Sequence, residues 1–446
     1  MHWGHAITRD LVHWEHLPIA LYPDSLGTIF SGSAVIDWNN SSGLGSSENP
    51  PMVAIFTHHN HKLEKTGSDM FQYQSIAYSL DKGRSWTKYP GNPVLQNPGI
   101  RDFRDPKVSW YEPGQKWIMV FAAQDRIMFY SSPNLIQWNK ESEFTADRPP
   151  DEGLWECPDF FPLAAGEEEK WVLIVSIGGG GPNGGSGTKY YIGEFDLNQF
   201  YSDDPSGAAP WIDYGKDNYA GVSWSDIPEE DGRRIFLGWM SNWQYANQVP
   251  TERWRSAMTL PRELRLKRDQ NGYFLSSIPL IESDQLRAEQ YELEPGPVMD
   301  RTNVGPAMEG ANPLFEIDVV FEFNPEEIES IEFGIVLESK QDEQLIAAFN
   351  TRDNQVFISR SKSGQTSFSE QFPGIHTAPY QVSKAGEIRF HAYIDLSSVE
   401  LFVDDGAVVM TELCFPESGF ETIHLYSTSN SVTLKRGEIQ HLKSIW

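Results

Sequence analysis

Hydrophobic positions along the 446-residue chain recur in short runs and almost nowhere at the three-and-four spacing of a helix. PMVAIFT (51–57), KWIMVFAAQD (116–125), KWVLIVSIGG (170–179), KYYIGEFD (189–196) and RRIFLGWM (233–240) are apolar or alternating, with Gly, Pro, Asn and Asp clusters between them. That punctuation predicts an all-β fold. Three segments, ITRDLVHWEHLP (7–18), YSLDKGRSWTKYP (78–90) and YSSPNLIQWNKES (130–142), each end a strand, turn through a polar residue and place a Trp shortly after. The middle copy, Ser79-x-Asp81-x-Gly83-x-x-Trp86, is the hairpin turn called an Asp box. Repetition at about the length of a four-stranded blade predicts a β-propeller, whose central funnel lets acids from different blades converge.

The pattern changes near LPRELRLKRD (260–269). IESDQLRAEQYELEPG (281–296), with mixed charge and some helical character, reads as a linker. The expected organisation is a propeller over 1–280, a linker over 281–296 and a second domain over 297–446. In that domain Phe315, Ile317, Val319, Phe321 and Phe323 share one strand face, opposite Glu316, Asp318 and Glu322. Val399, Leu401 and Val403 repeat the alternation before an Asp404-Asp405-Gly406 turn. A half-buried antiparallel sheet, most simply a β-sandwich of structural or accessory role, is predicted.

Charge narrows the partners. Against 35 basic side chains stand 63 acidic ones, a net −28 that argues against nucleic acid or an anionic membrane and leaves a neutral polysaccharide compatible. Aromatic residues suit sugar stacking, but β cores account for most of them, so they decide nothing. Cys157 and Cys414, far apart, read as buried free thiols rather than a disulfide. Cys157 has no His placed to activate it. No apolar run is long enough to predict a transmembrane helix.

Two acidic stretches carry the candidate chemistry: FRDPKV (103–108) and WECPDFF (155–161). Each sets a carboxylate, Asp105 or Glu156, beside a proline and apolar neighbours, where desolvation raises a pKa toward neutrality. Two such acids on a β-rich chain point first to glycoside hydrolysis. Taken alone, Arg104-Asp105 reads first as a structural ion pair. Thr57-His58-His59-Asn60-His61 resembles a metal cluster but reads as a strand end running into a solvated loop. GGGGPNGGSGT (178–188) lacks the Gly-Lys-Ser/Thr of a phosphate loop and reads as a flexible inter-strand loop. Phe30-Ser31 and Trp239 sit at strand ends, where funnel lining and core packing are equal alternatives.

HWGHAITRDLVHWEHLPIAL, FSGSAV, FRDPKV, WECPDFF, GGSGTKYYIGEF, DYGKDNYA and GWMSNWQYANQVPTERWRSAMTLPREL, in this order, together resemble glycoside hydrolase family 32. SSVELFVDDGAVVMTELCFP (397–416) extends the resemblance into the second domain. The family holds invertases, inulinases and levanases, with a five-bladed propeller followed by a β-sandwich, and the glycine-rich and GWMSNWQYA segments look most like its microbial exo-acting fructan hydrolases. The resemblance implies Glu156 as general acid and later base, and Asp105 as the grip on fructosyl hydroxyls. It implies that Arg104 binds the same ring, that Phe30 and Ser31 line the fructose subsite, and that Trp239 closes its wall. A fructan or sucrose substrate, no cofactor, no metal and a secreted or periplasmic location are implied as well. The family's nucleophile, the Asp of a Trp-Met-Asn-Asp-Pro-Asn-Gly motif that precedes HWGHA, has no match in this sequence. The expectation is therefore an incomplete first blade and a polypeptide almost inactive as written. The alternative is a non-catalytic fructan-binding pseudoenzyme.

Overall fold

A computed structural model describes residues 1–147, 152–204, 209–305, 314–325, 330–382 and 386–445. Its first part stacks antiparallel sheets as propeller blades. Strands β1 (Trp3–Thr8) and β2 (Trp14–Leu21) form a two-stranded sheet. Strands β3 (Thr28–Ile36), β4 (Met52–His59), β5 (Gln72–Ser79) and β6 (Thr87–Lys88) form the next, and a short helix α1 (His61–Lys65) follows β4. A third holds β7 (Phe103–Tyr111), β8 (Lys116–Ala123), β9 (Arg126–Ser132) and β10 (Asn139–Phe144). A fourth holds β11 (Trp155–Ala165), β12 (Glu168–Ile177), β13 (Gly187–Asp196) and β14 (Gln199–Ser202). The fifth holds β15 (Tyr219–Ser223), β16 (Arg234–Met240), β17 (Ala257–Met258), β18 (Arg262–Asp269) and β19 (Gly272–Pro279).

Neighbouring sheets share apolar clusters, which is what stacks them. Val53 and Ile55 meet Phe103 and Phe121; Ile118 and Phe129 meet Trp155 and Leu173; Phe161 and Val172 meet Phe236 and Leu264. The first strands β3, β7, β11 and β15 pack successively against one another and form the inner wall.

The Trp-terminated repeat folds as one turn three times. Ser79 Oγ donates to Asp81 Oδ1 at 2.7 Å, Ser85 N–H donates to the same oxygen at 2.9 Å, and the Trp86 indole donates to the Gly83 carbonyl at 2.9 Å. In the first copy Leu11 N–H bonds Thr8 Oγ1 and His13 N–H bonds Asp10 Oδ1. In the third, Asn134 N–H bonds Ser132 Oγ and Gln137 N–H bonds Asn134 Oδ1. Leu11, Lys82 and Leu135 occupy the equivalent left-handed position, with φ of 60°, 60° and 63°. The second and third copies join the outer two strands of their sheets, β5–β6 and β9–β10, and the first joins β1 to β2.

The second part is two facing antiparallel sheets, one built around Phe315–Glu322 and Glu387–Asp395, the other around Glu332–Glu338 and Gln344–Asn350. Phe315, Ile317, Val319, Phe321 and Phe323 all enter the core between them, as their alternation predicts. Two expectations need correction. Residues 287–293 are not linker but an edge strand paired with Thr433–Leu442. The opposite face is not open either: Glu316 and Asp318 are buried while Glu322 is exposed. Arg287 grips both oxygens of Glu316, at 2.7 and 2.6 Å, and Arg389 does the same for Asp318, at 2.8 and 2.6 Å. Bidentate arginines supply the donors that buried carboxylates require, and their aliphatic stems cover the strand.

Candidate active site

All four inner-wall strands carry the same irregularity. Between Ile29 and Gly32, Arg104 and Lys107, Glu156 and Asp159, and Tyr219 and Val222, the inner strand runs three residues while its partner runs two. Each is a β-bulge, which bends the strand and re-aims side chains at the wall. The bulged pairs are Phe30-Ser31, Asp105-Pro106, Cys157-Pro158 and Ala220-Gly221. Asp105, Cys157 and Ala220 take φ of 66°, 44° and 53°. Left-handed backbone costs a non-glycine residue about 1–2 kcal/mol, so the surrounding packing must impose it. Proline fits beside the bulge because it has no N–H to leave unpaired.

These bulges bring the candidate residues together. Arg104 Nη2 and Nε donate to Glu156 Oε1 at 2.8 and 3.3 Å, and Arg104 Nη1 donates to Asp102 Oδ1 at 2.5 Å. Arg104 Nε also lies 3.9 Å from Asp105 Oδ2. Asp105 Oδ2 accepts from Cys157 N–H at 3.0 Å, and Asp105 N–H donates to Thr57 Oγ1 at 3.1 Å. Thr57 in turn donates to Gln74 Oε1 at 2.7 Å, which anchors the Asp105 bulge to β4 and β5. On its other oxygen, Glu156 accepts from the Tyr219 hydroxyl.

Exposure divides the two acids. Asp105 is buried, whereas the Glu156 side chain keeps 22% of its surface open. Burial pushes the Asp105 carboxyl up to about 6 against the pull of Arg104, and Glu156 adds to the rise. Burial and then the Glu156 charge push Tyr219 well above its ordinary value, so its hydroxyl stays a donor. Glu156 is held instead by a guanidinium and a phenolic donor. Cys157 is half-buried rather than buried, and burial followed by the Asp105 and Glu156 charges raises its thiol, which suits no nucleophile.

The aromatic candidates flank this cluster. The Phe30 ring stacks on His59 at 4.3 Å and 13°, and Ser31 is exposed on the bulge. Trp239 pairs across the sheet with Tyr219, their rings 6.2 Å apart, and packs 4.9 Å from the exposed Trp243. Sequence reasoning missed Tyr219, which lies within the DYGKDNYA stretch but has no local pattern that marks it. It also misread the histidines. His58 and His59 are buried at the end of β4, and only His61 is solvated. Nor is 178–188 a free loop: Asn183 Nδ2 donates to the Tyr214 and Thr377 carbonyls, and Asn242 Nδ2 to those of Ser186 and Lys216. Gly185, with φ of 76°, lies where any Cβ would stand 2.2 Å from Asn242 Oδ1.

The stacked β-sheets thus gather paired acids, a shared arginine and aromatic flanks on one inner wall. Residues 1–277 match the N-terminal domain of glycosyl hydrolases family 32, and residues 282–441 match the family's C-terminal domain. The chain belongs to glycosyl hydrolase family 32. It is 45% identical to a levanase of Bacillus subtilis (strain 168), covering 100% of this chain and 65% of that protein. It is 35% identical to a levanase of Bacillus sp. (strain L7), covering 100% of this chain and 48% of that protein. The chain thus spans from half to two thirds of the length of these relatives. A crystal structure of exo-inulinase from Aspergillus awamori superposes with a TM-score of 0.86 at 33% identity, covering 100% of this chain and 90% of that one.

Proposed function

We propose that this chain carries the sugar-binding and proton-transfer parts of a retaining β-fructosidase that releases fructose from levan, inulin or sucrose. The observation that carries the proposal is the shared arginine: Arg104 reaches Glu156 at 2.8 Å and Asp105 at 3.9 Å, on the bulges of adjacent inner strands. The names of the levanases and the exo-inulinase support the substrate class.

Glu156, solvent-accessible and oriented by Arg104 and Tyr219, protonates the departing glycosidic oxygen and then activates water. Asp105 holds fructosyl hydroxyls, a hold that strengthens as positive charge develops at the anomeric carbon. Arg104 binds the same ring and keeps the acids apart in role. Phe30 and Ser31 line the subsite, and Trp239 closes its wall. The attacking carboxylate is the Asp of the family's Asn-Asp-Pro-Asn-Gly segment, which this sequence does not contain. Its place is in a first blade, of five, whose outer two strands are β1 and β2; the Asp-box turn between them sits between outer strands in the two complete sheets that share it. Residues 1–280 form this catalytic unit, and the sandwich that follows is accessory.

The test is fructose release from levan, inulin and sucrose. The 446-residue chain alone should show almost none. With the family's Trp-Met-Asn-Asp-Pro-Asn-Gly strand joined ahead of it, turnover should appear and fall about 100- to 10,000-fold in Glu156→Gln. Turnover by the chain alone, abolished by Glu156→Gln, contradicts the need for an outside carboxylate. Binding without turnover in the extended chain points instead to a non-catalytic fructan binder.

A further inference from the structure

We propose that His59, His61 and Glu64 form a binding site for a divalent transition-metal cation, with Zn2+ the natural probe. The donor atoms converge from the end of β4 and from α1. His59 Nε2 lies 2.9 Å and His61 Nδ1 3.4 Å from Glu64 Oε2, and one ligand atom from each residue lies within 4.8 Å of the other two. Tetrahedral zinc, with bonds of about 2.0–2.2 Å, holds neighbouring donors about 3.4 Å apart, so small side-chain shifts suffice. His61 and Glu64 are solvent-accessible, which gives the ion an entry path and a water for its fourth position.

The surrounding hydrogen bonds favour the metal-bound arrangement. A carboxylate only accepts, so beside Glu64 a neutral His59 must donate from Nε2, and its Nδ1 then accepts from Gln72 Nε2 at 3.1 Å. That choice leaves the buried Gln72 Oε1 without a hydrogen bond among the described residues. A cation on the Nε2 lone pair moves the imidazole proton to Nδ1, and a half-turn of the Gln72 amide presents Oε1 to receive it. His61 is served in the same way. Its Nε2 lies 3.3 Å from Thr28 Oγ1, whose own proton goes to the His59 carbonyl at 3.3 Å. Metal-bound histidines characteristically donate their other ring N–H to such an outer partner. The ion would tie the end of β4 to α1 beside the Phe30 ring, which stacks on His59.

Calorimetric titration of the metal-free chain with zinc chloride tests the site, independently of any hydrolytic activity. One saturable zinc per chain is expected, with affinity lowered at least about tenfold in His61→Ala and in Glu64→Gln, both on the accessible side of the cluster. Cobalt(II) should compete for the same site and give the visible absorption of a tetrahedral nitrogen–oxygen set. No saturable zinc binding, or affinity unchanged in both variants, overturns the proposal.

Discussion

Two clusters in this chain are built from the same parts and differ in where they sit. On the inner wall Arg104 lies between Asp105 and Glu156, and Tyr219 donates to Glu156. Between the propeller and the sandwich, Arg360 lies between Asp217 and Glu412, at 2.5 and 2.9 Å, and Tyr245 donates to Asp217 at 2.6 Å. The second cluster is closed. Arg360, Asp217 and Glu412 have no exposed side-chain surface, and Leu413 N–H, Lys216 N–H, His376 and the Phe372 carbonyl take up further bonds. The first cluster is open at Glu156, and its backbone is held in left-handed geometry at Asp105. The parts alone do not make a site. An arginine between two acids locks two domains where all three groups are buried, and it can serve a substrate where one acid still faces solvent.

The comparison breaks most visibly at Arg360. Arg360→Ala leaves two buried carboxylates without their cation, and denaturant unfolding should show a loss of about 3–5 kcal/mol. Asp217 is two residues before Tyr219, so the same change should also loosen the donor to Glu156.

Asp105 should move stability the other way. Its carboxyl ionises near 3.8 when unfolded and near 6 when folded. Between those values the folded chain keeps a proton the unfolded chain has lost, so stability falls as pH rises through the window, and the penalty is complete above about 6. Asp105→Asn should therefore be more stable than the parent by about 3 kcal/mol above that pH, with the difference vanishing at pH 3.8 and below.

The tyrosines should give the finest contrast. Tyr245→Phe removes a fully buried hydroxyl that serves both Asp217 and Arg360, and it should cost about 2–3 kcal/mol in thermal unfolding. Tyr219→Phe, beside the open Glu156, should cost about 1 kcal/mol.

What the sequence reveals follows from the range of the forces involved. The alternation of Phe315 to Phe323 and the Asp-box residues act locally, and both are readable. Asp105 and Glu156 are readable as acids among apolar neighbours, but the bulges that aim them are not, because a bulge is defined by the count on the partner strand. Glu316 looks solvent-facing until Arg287 and His391, far away in sequence, supply its partners. Tyr219 escapes for the same reason, since its role comes from the contact with Glu156 on the neighbouring sheet and not from neighbours along the chain.

The measurement closest to the centre of this account is calorimetric binding of a short levan oligosaccharide to the chain and to Asp105→Asn at pH 7. The variant should be the more stable protein and yet bind the sugar at least about tenfold more weakly, the loss of one charged hydrogen-bond acceptor. Undiminished binding by the stabilised variant would contradict the assignment of the inner-wall cluster as the sugar site.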